Sequence, residues 1–236
     1  MSELPLFYSP QLQSVSGELQ LDEETRRHVV TVLRMQSGEQ IELTNGKGLS
    51  ATAQIVLADK KKLVVAISQI EQHAEPERKL SLGVALLKNA ARFEWMLEKV
   101  TEIGIGQIYP LITERTGREH FRQERMQQIV ISACLQSRQF HFPVLTPPVN
   151  LAHLFTQSLP QVKYLAHCMQ EDKALIAGDD KEAILLIGPE GDFTEAEIQM
   201  AKTAGFKSVT LGKTRLRTET AGIVGAVLLR GNSLMQ

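Results

Sequence analysis

Residues 183–194 read Ala-Ile-Leu-Leu-Ile-Gly-Pro-Glu-Gly-Asp-Phe-Thr, and this stretch decides the fold. Its first half is an unbroken apolar run. Such a run, bounded by turn residues, is expected to be a strand buried on both faces. Gly188 and Gly191 let the chain turn tightly and let its backbone approach a ligand. Pro189 stiffens the turn. Thr194, with Glu197 three residues on, writes a capping box and so predicts where the following helix starts.

The same pattern repeats on either side. Apolar runs at 80–87, 108–112, 163–168 and 208–211 alternate with helical patterns near 89–103, 119–137, 194–204 and 218–230. The fold class is therefore α/β with a mainly parallel, two-sided sheet. Ligands in such sheets bind beyond the carboxyl ends of strands, which directs attention to the loops after 168, 188 and 211. The last of these, Leu211-Gly212-Lys213-Thr214-Arg215-Leu216-Arg217-Thr218-Glu219-Thr220-Ala221, brings two arginines and a lysine to a strand end. Such cations suit phosphates or an oxyanion, or else form a solvated basic loop. Thr218 is the expected N-cap of the final helix. Ala221, Gly222, Gly225 and Ala226 give that helix a small-residue face for close packing.

Residues 1–72 differ. Strands are expected at 40–44, 49–57 and 62–70, with an Asn45-Gly46 turn signal after the first and one short helix capped by Asp22. This composition predicts a small β-barrel. The polar segment 71–79, with Pro76 in its middle, marks the boundary, giving domains 1–72 and 73–236.

Bulk composition narrows the function classes. Hydrophobic residues make up 43% and charged residues 22%, with a formal net charge of −1, as in an ordinary globular protein. Residues 1–72 hold seven Lys and Arg against nine Asp and Glu, and the rest is equally balanced. Any basic surface must come from local clustering. Cys134 and Cys168 have no zinc or disulfide spacing and are read as buried thiols of a reducing compartment. His120, His141, His153 and His167 lack ligand spacing, so no metal is expected. The N-terminus reads as no signal peptide, and no apolar run reaches the roughly 18 residues of a membrane span. The protein is expected to be cytoplasmic. Trp95, with Phe93, Met96 and Val100 nearby, is read as a packing residue, with base stacking as the alternative role.

The two loops together, I-G-P-E-G-D-F-T-x-x-E and L-G-x-x-x-L-R-T-E-T-A, resemble the hallmark loops of the 16S rRNA uridine-N3 methyltransferase family of the SPOUT superfamily. Further elements agree, in order along nearly the whole chain. Leu87-Lys88-Asn89, then Arg92-x-Glu94-Trp95-x-x-Glu98-Lys99-x-Thr101-Glu102-Ile103-Gly104, is similar to a helix of that family. Residues 109–115 are similar to its next strand, and His28-Val29-x-x-Val32-Leu33-Arg34-x-x-x-Gly38 to an element of its first domain. Two positions depart from the family pattern. Asp192 replaces a glycine, which would put a carboxylate near the methyl donor's sulfonium or facing solvent. Leu135 stands where a glutamate usually precedes Gln136-Ser137-Arg138.

The resemblance implies a C-terminal domain with a deep trefoil knot that binds S-adenosylmethionine, a PUA-like N-terminal barrel that binds RNA, and a homodimer. It implies that the cofactor is clasped at Leu165–His167, Ile187–Gly191 and Leu211–Arg217, with Leu165, His167, Ile187, Gly188, Glu190, Gly191, Leu211, Gly212, Leu216 and Arg217 as its residues. Arg217 is the candidate for electrostatic stabilisation. Glu190 is the candidate general base, with orientation of its own loop as the alternative role. His28, Arg34, Lys88, Arg92 and Arg138 are the candidate RNA contacts, and 16S rRNA of the small subunit is the partner. The rival readings are another SPOUT methyltransferase acting on a ribose 2′-hydroxyl or guanine N1, and a non-catalytic RNA-binding or ribosome-assembly factor. A dinucleotide enzyme is discounted, because Gly104-x-Gly106 lacks the third glycine and ends a helix.

Overall fold

A computed structural model describes residues 4–117, 120–179 and 181–231. The chain divides into two compact units. One comprises Met1–Pro76 with Cys134–Phe142, the other Glu77–Ala133 with Pro143–Gln236.

In the first unit five strands form one sheet in the order β1-β3-β4-β5-β2. They are β1 (Leu6–Tyr8), β2 (Gly17–Gln20), β3 (Gln40–Thr44), β4 (Leu49–Ala58) and β5 (Leu63–Gln72). Helix α1 (Glu23–Arg27) starts at Asp22, whose carboxylate accepts the Thr25 amide at 2.8 Å, and runs on into a π-helical turn, His28–Val32. A single apolar cluster takes Phe7 from β1, Val29 from that turn, Ile41 and Leu43 from β3, Ile55 from β4 and Val65 from β5, with Leu19 of β2 against it. One core shared by every strand is the arrangement of a small barrel. Its hydrogen-bonded path begins at β1 and ends at β2 among the described residues.

The segment Cys134–Phe142 joins this unit through the β3–β4 turn. Gly48 N–H donates to the Phe140 carbonyl and Phe142 N–H to the Gly46 carbonyl, both at 2.8 Å. A Cβ on Gly46 would sit 2.6 Å from the Phe142 ring, and one on Gly48 would sit 2.4 Å from His141. The two glycines therefore make room for a distant segment as well as for a turn. Nothing in the local pattern of 134–142 announces this pairing.

The second unit carries a parallel sheet in the order β12-β10-β11-β6-β7-β8, with β9 also on β7. Its strands are β6 (Lys79–Ala85), β7 (Gln107–Ile112), β8 (Val144–Leu145), β9 (Val149–Asn150), β10 (Val162–Ala166), β11 (Glu182–Ile187) and β12 (Lys207–Val209). Every pairing in it is parallel. The helices are α2 (Ala90–Ile103), α3 (Gln123–Gln136), α4 (Leu151–Leu154), α5 (Glu195–Thr203) and α6 (Thr218–Arg230). Residue 119, the expected start of the third helix, lies outside the described residues. The short β8, β9 and α4 carry too few residues to show a period in sequence.

Helix α5 starts as the sequence predicts. Thr194 accepts the Glu197 amide, and the Glu197 carboxylate accepts the Thr194 amide at 2.8 Å. Helix α6 does not. Its N-cap is Arg217, with no side-chain cap, and Thr218 is already helical. The first-turn amides of α6 therefore have no side chain capping them. Trp95 also differs from expectation, being 49% exposed, because the buried face of α2 is taken by Phe93, Met96, Leu97, Val100 and Thr101. Cys134 is buried as expected, and burial pushes its thiol up to about 12, but Cys168 is exposed.

The small-residue face of α6 packs as its composition suggests. A Cβ on Gly225 would meet Leu185 at 2.4 Å, and one on Gly222 would meet the Met96 sulfur at 2.6 Å. Leu185 is fully buried in β11 and has nowhere to go, whereas Met96 can bend. Gly225→Ala is expected to destabilise by about 1–3 kcal/mol, as overpacking does. Gly222→Ala should cost less, and urea unfolding of the two variants checks the order.

Candidate functional site

Strand β10 lies between β11 and β12, and all three run the same way. The loops that leave their carboxyl ends must therefore meet. They line a cavity of about 750 Å³ together with the start of α6 and Arg92 of α2. That volume suits a small-molecule ligand.

The loop after β10 contributes Ala166, His167 and Cys168. The His167 side chain is wholly buried. Its Nε2 is 3.1 Å from a Glu171 carboxylate oxygen and 2.9 Å from the Ser208 hydroxyl. A carboxylate can only accept, which places the proton on Nε2. Nδ1 is then an acceptor, and it is buried with no partner among the described residues. Burial pushes the imidazole below its ordinary value, and Lys173 adds to this against the opposing pull of Glu171 and Asp192. Glu171 is itself held down to about 2 by the Lys202 ammonium, with help from the Ser208 hydroxyl.

The loop after β11 contributes Ile187, Gly188, Pro189, Glu190 and Asp192. Asp192 neither meets a cation here nor simply faces solvent. One of its carboxylate oxygens accepts the Cys168 amide at 2.7 Å and the other accepts the Phe193 amide at 2.9 Å. It ties the first loop to the second. Its φ of +63° is a conformation that glycine adopts without strain, which explains in steric terms why a glycine also serves at this place. Glu190 is exposed, with one oxygen 3.4 Å from the Lys88 amide.

The loop after β12 runs from Thr210 to Arg217 along the cavity and enters α6. On the first turn of α6 sits Glu219, which sequence reading did not single out. Its side chain is 8% exposed, and one oxygen is 3.7 Å from Arg92 Nε. The other oxygen has no partner among the described residues. Leaving a buried acceptor unfilled costs about 1–3 kcal/mol, so Oε2 is a place where a ligand donor is wanted. The signal for Glu219 was present in the T-E-T-A string, but only burial separates it from an ordinary surface glutamate at a helix start.

Of the expected cofactor residues, the structure brings His167, Ile187, Gly188, Glu190, Leu211, Gly212, Leu216 and Arg217 onto this cavity. Leu165 is 1% exposed and packs into the apolar core instead, since its side chain alternates away from that of its neighbour. Gly191 is not among the lining residues, and its carbonyl accepts Arg115 at 2.7 Å.

The expected RNA contacts scatter. Arg92 lines the cavity, and Lys88 is exposed just before α2. His28 and Arg34 are exposed in the first unit, where His28 stands edge-on to Phe7. Arg138 is engaged within that unit, with Glu42 and with the Leu4 carbonyl, so its charge is already matched. Among the described residues no group of His, Cys, Asp and Glu could hold a metal ion, and no helix is long and apolar enough to cross a membrane.

The description "RNA methyltransferase domain" fits residues 74–230, and "RNA methyltransferase PUA domain" fits residues 21–68. The chain belongs to the RNA methyltransferase family. One relative in the family is the ribosomal RNA small subunit methyltransferase E of Mesomycoplasma hyopneumoniae. It is 35% identical over 167 residues, covering 66% of this chain and 71% of the relative. A ribosomal RNA small subunit methyltransferase E from Neisseria gonorrhoeae, solved bound to S-adenosyl methionine, superposes with a TM-score of 0.86. It is 32% identical and covers 97% of each chain. A putative methyltransferase from Legionella pneumophila, solved with SAM as bound cofactor, gives 0.87 at 30% identity, covering 97% of this chain and 98% of that one.

The buried histidine gives a testable pH dependence. Its folded value lies below 6.5, so the unfolded chain binds the proton first. Stability is therefore expected to fall as pH drops below about 6.5, until the folded histidine titrates in turn. Glu171 adds a separate loss between its ordinary 4.5 and about 2. His167→Gln should show a flatter stability profile between pH 7 and 5 than the wild type, measured by urea unfolding at each pH.

Proposed function

We propose that this protein is an S-adenosylmethionine-dependent methyltransferase that modifies N3 of a uridine in 16S rRNA of the small ribosomal subunit. The observation that carries the reading is the cavity at the ends of β10, β11 and β12, in a chain whose near-full-length relatives were solved with the methyl donor bound. The residues fit that donor. Ile187, Gly188, Leu211 and Gly212 border the cavity, and His167, which also lines it, has a buried Nδ1 acceptor with no partner among the described residues. When bound, the donor supplies an electrophilic methyl group. The chain supplies position, dryness and charge.

Uridine N3 carries a proton, and the anion left on its removal spreads over O2 and O4. Arg217, beside the uncapped first-turn amides of α6, is the group that stabilises this charge. Glu190 orients its own loop through the Lys88 amide, and its exposure argues against a base role. A paired uridine cannot present N3, so the nucleotide enters unpaired or flipped out. In this reading Arg92 and Lys88 meet RNA at the cavity, while His28 and Arg34 belong to an RNA-binding face of the PUA unit. The trefoil knot, the homodimer and the cytoplasmic location that the family resemblance implies are parts of the same proposal.

The test is nucleoside mass spectrometry of small-subunit RNA lacking the modification, after incubation with protein and S-adenosylmethionine. 3-Methyluridine should appear. Arg217→Ala should lower turnover about 100- to 1,000-fold, as loss of an oxyanion donor does. Methyl groups on ribose or guanine would refute the assignment to uridine N3.

A further inference from the structure

Among the described residues three carboxylates line the cavity, and one of them is both buried and unfilled. Glu190 is exposed, and both oxygens of Asp192 hold backbone amides. Glu219 is buried, its Oε1 faces Arg92 from α2, and its Oε2 has no partner among the described residues. Glu219 sits on the first turn of α6. Two residues earlier, Arg217 lines the same cavity. The wall therefore offers a buried, unfilled carboxylate acceptor in a cavity that Arg92 and Arg217 also line.

A carboxylate acceptor accompanied by cationic donors complements one nucleobase edge. Uracil presents O2, N3–H and O4, which is acceptor, donor, acceptor. Cytosine presents a lone pair at N3, which a carboxylate would repel. We propose that Glu219 reads the N3–H of the target uracil and takes its proton as the methyl group arrives. Arg92 and Arg217 serve as its flanking donors. The inference rests on the methyltransferase reading above and adds to it the residue that selects the base and accepts the proton.

The step balances. The N3–H bond breaks toward Oε2, and the N3 electron pair forms the bond to the methyl carbon. The carbon–sulfur bond breaks with its pair staying on sulfur, which leaves a neutral thioether. Glu219 then returns the proton to water as the products leave. The other charged or titratable groups lining the cavity are Lys173 and His167 from the loop after β10, and Lys213 and Arg215 from the loop before α6. The exposed Cys168 thiol borders it as well.

Glu219→Gln keeps the shape and removes the proton acceptor. Affinity for S-adenosylmethionine, measured by calorimetry, should stay within about threefold, which also reports that the variant is folded. Single-turnover formation of 3-methyluridine at pH 7 should fall by about 100-fold or more, the scale of a lost general base. The residual rate should then climb about tenfold per pH unit toward alkaline pH, as solvent takes over removal of the N3 proton. Glu219→Asp should recover part of the rate and lose that slope.

A Gln variant with wild-type rate and pH profile overturns the assignment. So does one whose cofactor affinity falls more than about tenfold, because the carboxylate would then be serving the methyl donor. Wild-type protein that binds the cofactor and makes no 3-methyluridine overturns the broader reading, and this assignment with it.

Discussion

Three adjacent parallel strands, β12, β10 and β11, end on the same side of the sheet, and the cavity exists because of that adjacency. Parallel pairing aligns the carboxyl ends, so three loops far apart in sequence are delivered to one place. The chemistry of the site comes from what those loops carry, together with Arg92 of α2 and Glu219 of α6. The register Tyr164 to Leu185 and Tyr164 to Lys207 sets the central strand against both neighbours over its last residues.

Loops delivered together must also be held together, and polar side chains link them here. Asp192 spans the loops after β10 and β11 by accepting an amide from each. His167 reaches Ser208 of β12, and through Glu171 it is joined to Lys202 of α5. Under this polar layer the packing is tight. Gly225 admits Leu185 so closely that α6 is pinned on the sheet, with its uncapped start at the cavity. At the other end of α6, Arg78 donates to the carbonyls of Leu229 at 2.8 Å and Arg230 at 2.5 Å, so the helix is fixed at both ends by different means. Among the described residues His167 Nδ1 and Glu219 Oε2 are buried without a partner, and both residues line the cavity, which is the pattern expected of a ligand site.

Much of this was legible in the sequence, for identifiable reasons. Strand β11 is a continuous apolar run after Glu182, and buried parallel strands write themselves that way. The capping box at Thr194 and the turn at Gly188 are local chemistry, fixed by neighbours within three residues. What escaped was non-local. Thr218 looks like a cap and is not, because the preceding loop brings Arg217 to that position instead. Trp95 reads as a core residue by composition but falls on the exposed face of α2. Asp192 joins residues 24 apart in sequence. Glu219 needed a burial value before it could be told from a solvated glutamate. In the first unit, the pairing of 134–142 with the β3–β4 turn involves contacts about a hundred residues apart, and no window of sequence holds both partners.

The central claim is that the methyl donor sits where those three strands end. The most direct test is amide hydrogen exchange of the full-length protein, with and without saturating S-adenosylmethionine. Slowed exchange in 166–168, 187–192 and 210–219 together, with the far ends of the same strands unchanged, is the predicted result. Protection confined to one of the loops, or appearing elsewhere in the chain while the cofactor is demonstrably bound, would contradict it.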